Sequence, residues 1–434
     1  MGSTIMNSPS SLEEKVLKNY RHNFIVNFFD GGFFWFGYSF IAPAVILPLY
    51  VSHFTDNKFL IGLVAVISAT GYFLPQLFTA NWVEHLKFKK YAPVNVGFFT
   101  ERVPLLILPV ATYVTAGLPV LPLVLFFIFY GWHAFGAGAV AVGWNDMLAK
   151  VIPLDRRGFF LGITSFAGTT TGILGAYAAA YLLDQYGFPY GFIYCFAIAG
   201  LLILISWFFL AMVREIPSET GNKSVSQSEY WKKLPSILKK DANLQHYLIS
   251  QVFIGLGGMA GGFLAVYAAQ QWSLSDGKVG SFTSAMLIGQ AITNLFFGVL
   301  ADRKGYKIIL VISSAIAVLS MVLAMLVKEA NLFYLVFGLR GASFGGFFLS
   351  SLFVFEFSKA EIRPTYIGIN NTTIGVTSVV APLIGGWLAN VSGYQTLFLN
   401  AIILGVVGLV ILALFVYDPR SRPAQVEETP NNLA

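Results

Sequence analysis

Charge and cysteine are both scarce in this chain, and each scarcity closes off a class of function. Charged residues fill 11% of the 434 positions, against roughly 25% in a soluble domain, too few to solvate a globular surface. A lone cysteine, Cys195, permits no intramolecular disulfide and no cysteine-based metal site. No run reads as a phosphate-cradling P-loop, a zinc-ligand cluster or a nucleophile elbow, so ATP-driven pumping and hydrolysis are unsupported and no cofactor or metal is expected. The opening residues MGSTIMNSPS lack the basic start and apolar run of a cleavable signal. No basic stripe interleaves with soluble structure, so the net charge of +6 does not point to nucleic acid.

What is present instead is apolar sequence, 56% of the chain. A membrane span needs about 20 mainly apolar residues. Twelve segments qualify, near residues 23–51, 58–79, 92–112, 120–144, 158–183, 190–213, 246–271, 279–301, 308–327, 332–356, 366–390 and 395–417. The expected fold class is an all-α membrane protein of twelve transmembrane helices. Nearly all Lys and Arg fall on one side of the spans. The other side holds Lys58, Lys278 and Lys328, while Arg102 and Arg340 lie within apolar segments. Cytoplasmic loops carry the basic excess, which places both termini in the cytoplasm, the expected location being the cell (inner) membrane.

The spans divide six and six. Residues 1–22 read as a cytoplasmic N-terminal segment, 23–213 as a first six-helix bundle, 214–244 as a polar linker, 245–417 as a second bundle, and 418–434 as a disordered cytoplasmic tail. Within the linker Ser226 and Glu229 have capping-box spacing, and Trp231, Leu234, Ile237 and Leu238 alternate with Lys232, Lys233, Lys239 and Lys240 as in an interfacial helix. Ser11 and Glu14 open a similar basic helix into the first span.

The halves repeat each other. After the eighth span the chain reads Gly298, Ala301, Asp302, Arg303, Lys304, Gly305, Tyr306, Lys307, and after the second it carries a worn copy with Ala80, Glu84, His85, Lys87 and Lys89. Thr55 to Lys58 parallels Ser275 to Lys278, and Arg157 to Gly162 parallels Arg363 to Gly368. Aligning Tyr130-Gly131 with Phe337-Gly338 makes His133 and Arg340 repeat mates. Such parallel repeats, related by an axis along the membrane normal, occur in one large class of secondary transporters.

Gly298 through Lys307 resembles the signature of the major facilitator superfamily, G-x-L-x-D-R-x-G-x-[RK], and the likeness extends over roughly residues 20 to 418. The resemblance implies two six-helix bundles related by pseudo-twofold symmetry around a cavity that opens alternately to either side. The first, fourth, seventh and tenth helices would line it, and the third, sixth, ninth and twelfth would face lipid. The chain departs from the family pattern at Ala80, Glu84 and Lys87 in the first tether. It has Trp132 where an Arg often stands four residues before a glycine, here Gly136. It has Gly172-Ile173 where proton antiporters often carry Gly-Pro.

In the tethers, Gly298 and Gly305 would permit close approach and a tight turn. Asp302 would sit against a helix N-terminus, and Arg303 and Lys307 would reach Asp146, Asp155 or Glu356, forming a latch in one orientation. The plainer alternative is that these bases only satisfy the positive-inside rule. The intact second tether should be the stronger latch, so disrupting Glu84 should matter less than disrupting Asp302.

Ionisable groups inside the hydrocarbon zone are functional candidates by default. Asn23, Asn27 and Asp30 fall on one helix face. Asp30 could exchange a proton or touch substrate, or it could be an ion-pair partner of Arg102. Arg340 suits an anionic substrate group or a pairing with Asp30, with snorkelling as the alternative. His133 could gate protonation or serve as a packing residue. Glu101 and Arg102 point about 100° apart on an α-helix, so a structural role, each pairing with a neighbouring helix, is expected. Gln251, Gln290, Asn294, Asn370, Asn371, Thr373 and Thr377 could line the cavity or join helices.

The expected function is secondary transport of a small organic solute by alternating access, with Asp30 and Arg340 as the charged centre and protons as candidate coupling ions. The protein should act as a monomer in the lipid bilayer. A lipid flippase on the same fold, or a non-transporting sensor or assembly factor, are the alternatives.

Overall fold

The computed structural model describes residues 11–217, 241–347, 353–354 and 363–418. Among them nine helices are long and apolar enough to cross a membrane. The first span is too polar for that measure, with Asn23, Asn27 and Asp30 on its apolar stretch, the tenth is described only in part, and the eleventh and twelfth run together as Arg363–Leu414 until Gly393, at φ 79°, turns the chain between them. All twelve expected spans are thus accounted for. The amphipathic stretch at 226–240 lies outside the described residues.

The first span is a helix, Ser11–Ser39, that breaks and resumes as Ile46–Ser52. Pro43 falls in the break and has no N–H to continue the ladder. The seventh span breaks at the corresponding place: Ala242–Gly257, a 3-10 stretch Gly258–Phe263, then Leu264–Trp272. Its cause is different, the glycines at 257, 258, 261 and 262, which form helix poorly. The second span is Lys58–Glu84, the fourth Leu121–Val151, the fifth Leu154–Tyr186 and the sixth Tyr190–Ala211. The third starts with two π-helical turns, Ala92–Val96 and Phe98–Arg102, before Val103–Val114. The eighth is Asp276–Gly280 and Phe282–Lys304, the ninth Tyr306–Leu326, and the tenth is described as Phe333–Phe347.

Within the first half, the first span packs on the fifth and sixth, the second on the fourth, and the third on the fourth and sixth; the second half repeats this with the seventh on the eleventh and twelfth, the eighth on the tenth, and the ninth on the tenth and twelfth. Between halves the second span packs on the eleventh and the fifth on the eighth. Exchanging the halves maps each contact onto the other, as a pseudo-twofold axis requires. Close approach within a bundle uses missing side chains: a Cβ at Gly136 would strike the backbone of Thr100, and one at Gly341 the carbonyl of Met286.

Each half has an aromatic core near the outer end of its broken helix. Tyr50 lies 5.1 Å from Phe126, 5.3 Å from Phe192 and 5.1 Å from Phe196. Tyr267 lies 5.9 Å from Phe333 and 5.0 Å from Phe398. These sets occupy matching places in the repeat, a correspondence that the tether alignment alone does not reveal.

Candidate functional site

The halves meet through polar contacts on the face opposite the basic loops. His53 Nε2 and Asp276 Oδ2 lie 2.8 Å apart across the boundary. Ser275 Oγ donates to Asp184 Oδ1 at 2.8 Å, and Lys58 Nζ sits 5.0 Å over the Tyr394 ring. The His53 ring also stacks on Phe188 at 4.3 Å. Deeper in, Gly62 faces Phe263 and Pro382, and Gly375 faces Phe73. On the basic face, the hydrogen bonds and ion pairs between described residues stay within one half. Among the described residues, then, side-chain hydrogen bonds and ion pairs join the halves at the outer end and none crosses on the basic face.

The polar stripe of the first span looks into its own bundle. Asn23 clamps the end of the sixth span, donating to the Arg214 carbonyl at 3.0 Å and accepting from the Arg214 N–H at 2.9 Å. Asn27 donates to the Asn23 carbonyl, and its Oδ1 is buried with no partner. Asp30 is buried; Ser206 Oγ donates to Oδ1 at 2.6 Å, and Trp144 Nε1 approaches Oδ2 at 3.4 Å. Arg102 and Glu101 lie within electrostatic reach. Asp30 thus has neutral donors as its direct partners, and Arg340 is not among its contacts. The expected Asp30–Arg340 centre is not formed in this structure.

Glu101 and Arg102 correct the sequence reading in another way. Arg102 Nη1 donates to Glu101 Oε2, so the two pair with each other rather than with separate helices. The cause is the π-helical turn, whose i→i+5 bonding packs more residues into a turn and brings neighbouring side chains closer than an α-helix does. His133 Nδ1 bonds the Glu101 carbonyl at 2.9 Å across from the fourth span. Asp30, Glu101, Arg102 and His133 therefore form one buried polar centre inside the first half.

In the second half the geometry is sparser. Arg340 is half-buried in the tenth span; its carbonyl accepts from Ser343 Oγ at 2.8 Å, but its side chain makes no hydrogen bond or ion pair with a described residue. Its guanidinium leans on the 3-10 break of the seventh span: a Cβ at Gly261 would lie 2.6 Å from Nη2, 3.1 Å from Cζ and 3.2 Å from Nε. Gln251 and Asn370 are buried, with Gln251 Nε2 and both polar atoms of the Asn370 amide unpartnered. Asn294 is exposed and its Oδ1 lies beside Gly345 of the tenth span. Thr373 and Thr377 bond back to their own helix.

The two tethers are described to different extents. Gly305, at φ 84°, makes the turn that ends the eighth span, whereas a Cβ at Gly298 would meet none of the described residues within 4 Å. Lys307 Nζ donates to the Ala413 carbonyl at 2.9 Å instead of a carboxylate, and Arg303 is exposed. The side chains of Asp302 and Asp155, and residue Glu356, lie outside the described set. The worn first tether is the better connected of the two in what is described. Lys89 Nζ donates to the Val83 and Glu84 carbonyls, each at 2.8 Å, and lies 3.5 Å from Asp146. Glu215, just past the sixth span and missed by the sequence reading, accepts the backbone N–H of Lys89 and of Lys90 at 2.8 Å each and binds Lys150 Nζ at 2.6 Å. No local spacing marks Glu215, because its partners lie over 60 and over 120 residues away.

Comparison with known proteins gives these positions a family frame. The model of the Major Facilitator Superfamily matches residues 28–263 and 247–433. The chain is 28% identical over 296 residues to the MFS-type transporter MJ1317 of Methanocaldococcus jannaschii, covering 66% of this chain and 71% of that protein. It is 24% identical over 298 residues to the multidrug resistance protein MdtG of Klebsiella pneumoniae (strain 342), covering 66% and 68%. The fold is similar to the crystal structure of the nucleoside transporter NupG, with a TM-score of 0.63 at 15% identity over 92% of this chain and 99% of that one.

Proposed function

Because the chain belongs to the major facilitator superfamily and is therefore a secondary transporter of small solutes rather than an enzyme, we propose that it is a monomeric, proton-coupled carrier of an organic solute, seated in the cell membrane with both termini cytoplasmic. The observation that carries this reading is the one-sided joining of the halves. His53–Asp276 and Ser275–Asp184 cross the boundary at the outer face, while the basic face has no such tie between described residues. A two-bundle rocker closed outside and open inside has that pattern. Substrate would enter or leave between the halves as the outer contacts break and cytoplasmic ones form.

Asp30 is the proton carrier in this reading. It is buried, its direct partners are neutral, and the neighbouring Glu101–Arg102 pair carries no net charge. Gaining a proton there removes a buried charge without breaking an ion pair. Ser206 and Trp144 would hold the neutral and the ionised forms differently, which ties protonation to the spacing of the first, fourth and sixth spans. A membrane potential contributes about 2.3 kcal/mol per charge per 100 mV, sufficient to drive accumulation.

The test is uptake of a mixed pool of labelled small organic solutes into proteoliposomes under imposed pH and voltage gradients. The expected result is gradient-driven uptake that a protonophore collapses and that Asp30→Asn uncouples. Uptake indifferent to both gradients, or full coupling in Asp30→Asn, would remove proton coupling. A His53→Cys/Asp276→Cys pair gives a separate check on rocking: oxidation should stop transport and reduction should restore it.

A further inference from the structure

We infer that the transported or bound solute carries an anionic group, a carboxylate or phosphate, and that Arg340 holds it at the break in the seventh span. The inference rests on the transport reading for its setting but on different observations for its chemistry.

A guanidinium inside an apolar span needs compensation. The cost of leaving it uncompensated near the bilayer centre is at least about 2.5–3.5 kcal/mol. In the first half each charged group in the spans has a protein partner; Arg340 has none among the described residues. The nearest backbone compensation is the C-terminal end of Ala242–Gly257, where the helix stops just before Gly258. That end carries only partial negative charge and runs on into the 3-10 stretch, so it does not supply a counter-ion for the guanidinium.

The surroundings are shaped to leave the guanidinium bare. Gly261 has no side chain where a Cβ would meet Nη2, Cζ and Nε, and Gly258 leaves similar room 3.6 Å from Nη2. One side of the planar group therefore rests on glycine backbone, and the residue is only half-buried, so its remaining donors are accessible. A planar fork of donors selects carboxylate and phosphate oxygens. Gln251 adds a second donor without an acceptor. It lies seven residues before Gly258, on the same stripe of the helix, and its Nε2 is buried and unpartnered. Two free donors on one side favour an acceptor-rich ligand.

The location suits a carrier. Gly262, next to Gly261, faces Ala65 of the other half at 3.6 Å, and Phe263 packs on Gly62. The break that supports Arg340 is thus part of the boundary that must part when the halves rock. An anion held there would be released or captured by the same movement.

The experiment uses the full-length purified protein as wild type, Arg340→Gln and Arg340→Lys, followed by thermal unfolding. Without added solute, Arg340→Gln should unfold at least about 2 °C higher than wild type, because a charge lacking a partner has been removed; a lower midpoint means Arg340 is a structural ion-pair member and overturns the inference. Inorganic phosphate against chloride at equal ionic strength then probes the bare site, together with the pairs succinate and dimethyl succinate, benzoate and methyl benzoate, and glycerol 3-phosphate and glycerol. At least one anion should raise the wild-type midpoint while its neutral partner does not, with the rise lost in Arg340→Gln and partly kept in Arg340→Lys. If no anion separates wild type from Arg340→Gln, or neutral partners act equally, the site is not an anion site. Gradient-driven uptake of a neutral solute untouched by Arg340→Gln would leave the transport reading standing and sink this one. Anion stabilisation without any vesicle transport would do the reverse.

Discussion

The two halves share a fold and differ in how they treat charge. His133 and Arg340 are repeat mates, yet His133 is buried and bonded to the Glu101 carbonyl, whereas Arg340 leans on glycine with no partner among the described residues. Around His133 the first half builds a closed polar network of Asp30, Glu101, Arg102, Ser206 and Trp144. Around Arg340 the second half leaves Gln251 and Asn370 with unpartnered buried atoms. Duplication supplied one frame twice; in one copy the buried charges are paired or hydrogen-bonded within the bundle, although Asn27 Oδ1 and Arg102 Nε stay unpartnered, and in the other the guanidinium has no partner among the described residues.

That contrast can be broken most forcefully at Arg102. Arg102→Met leaves Glu101 buried without its partner and should cost about 3–5 kcal/mol, seen as a sharp loss of folded protein in detergent unfolding. Adding Glu101→Gln should restore most of it. A single variant as stable as wild type would mean the first half is not held by its network.

Glu215→Gln comes next, with an expected loss of roughly 1.5–3 kcal/mol for a buried, charge-assisted acceptor. Glu84→Gln should cost far less, since it is the Glu84 backbone carbonyl, bonded by Lys89, that the structure engages. Equal losses would show that the worn tether still acts through its own acid.

The His53–Asp276 pair is partly exposed. A double-mutant cycle with His53→Ala and Asp276→Ala should give a coupling of no more than about 1 kcal/mol, together with increased reactivity of a cysteine placed at Gly386. A cysteine there that stays unreactive in the double variant would mean the outer closure does not depend on this pair. Arg303→Ala should produce the smallest change, no resolvable shift in midpoint, because the residue is exposed at the end of the eighth span. A resolvable loss would reveal a partner for Arg303 beyond the described residues.

Much of the fold was legible because it follows from composition and period. Apolar run length located the spans, and the tether text with the Lys58 and Lys278 parallels located the repeat. The site was legible only as a set of candidates. Asp30 stood out as a charge in an apolar run, but its partner Ser206 is 176 residues away and carries no special signal. The Glu101–Arg102 pairing was misread because α-helical geometry was assumed where Pro93 and Pro104 flank π turns. The break in the seventh span could have been read from its glycines at 257, 258, 261 and 262. The contact of Arg340 with that break could not, since tenth and seventh spans meet only in the folded bundle.

The Glu215 junction also bears on how the first half moves. One carboxylate accepts the N–H groups of Lys89 and Lys90, at the start of the third span, and binds Lys150, at the end of the fourth, while its own backbone continues directly from the sixth. Three helix ends are thereby gathered on a single side chain, so the inner corner of that bundle turns as one body, and a rotation of any of the three is passed to the other two.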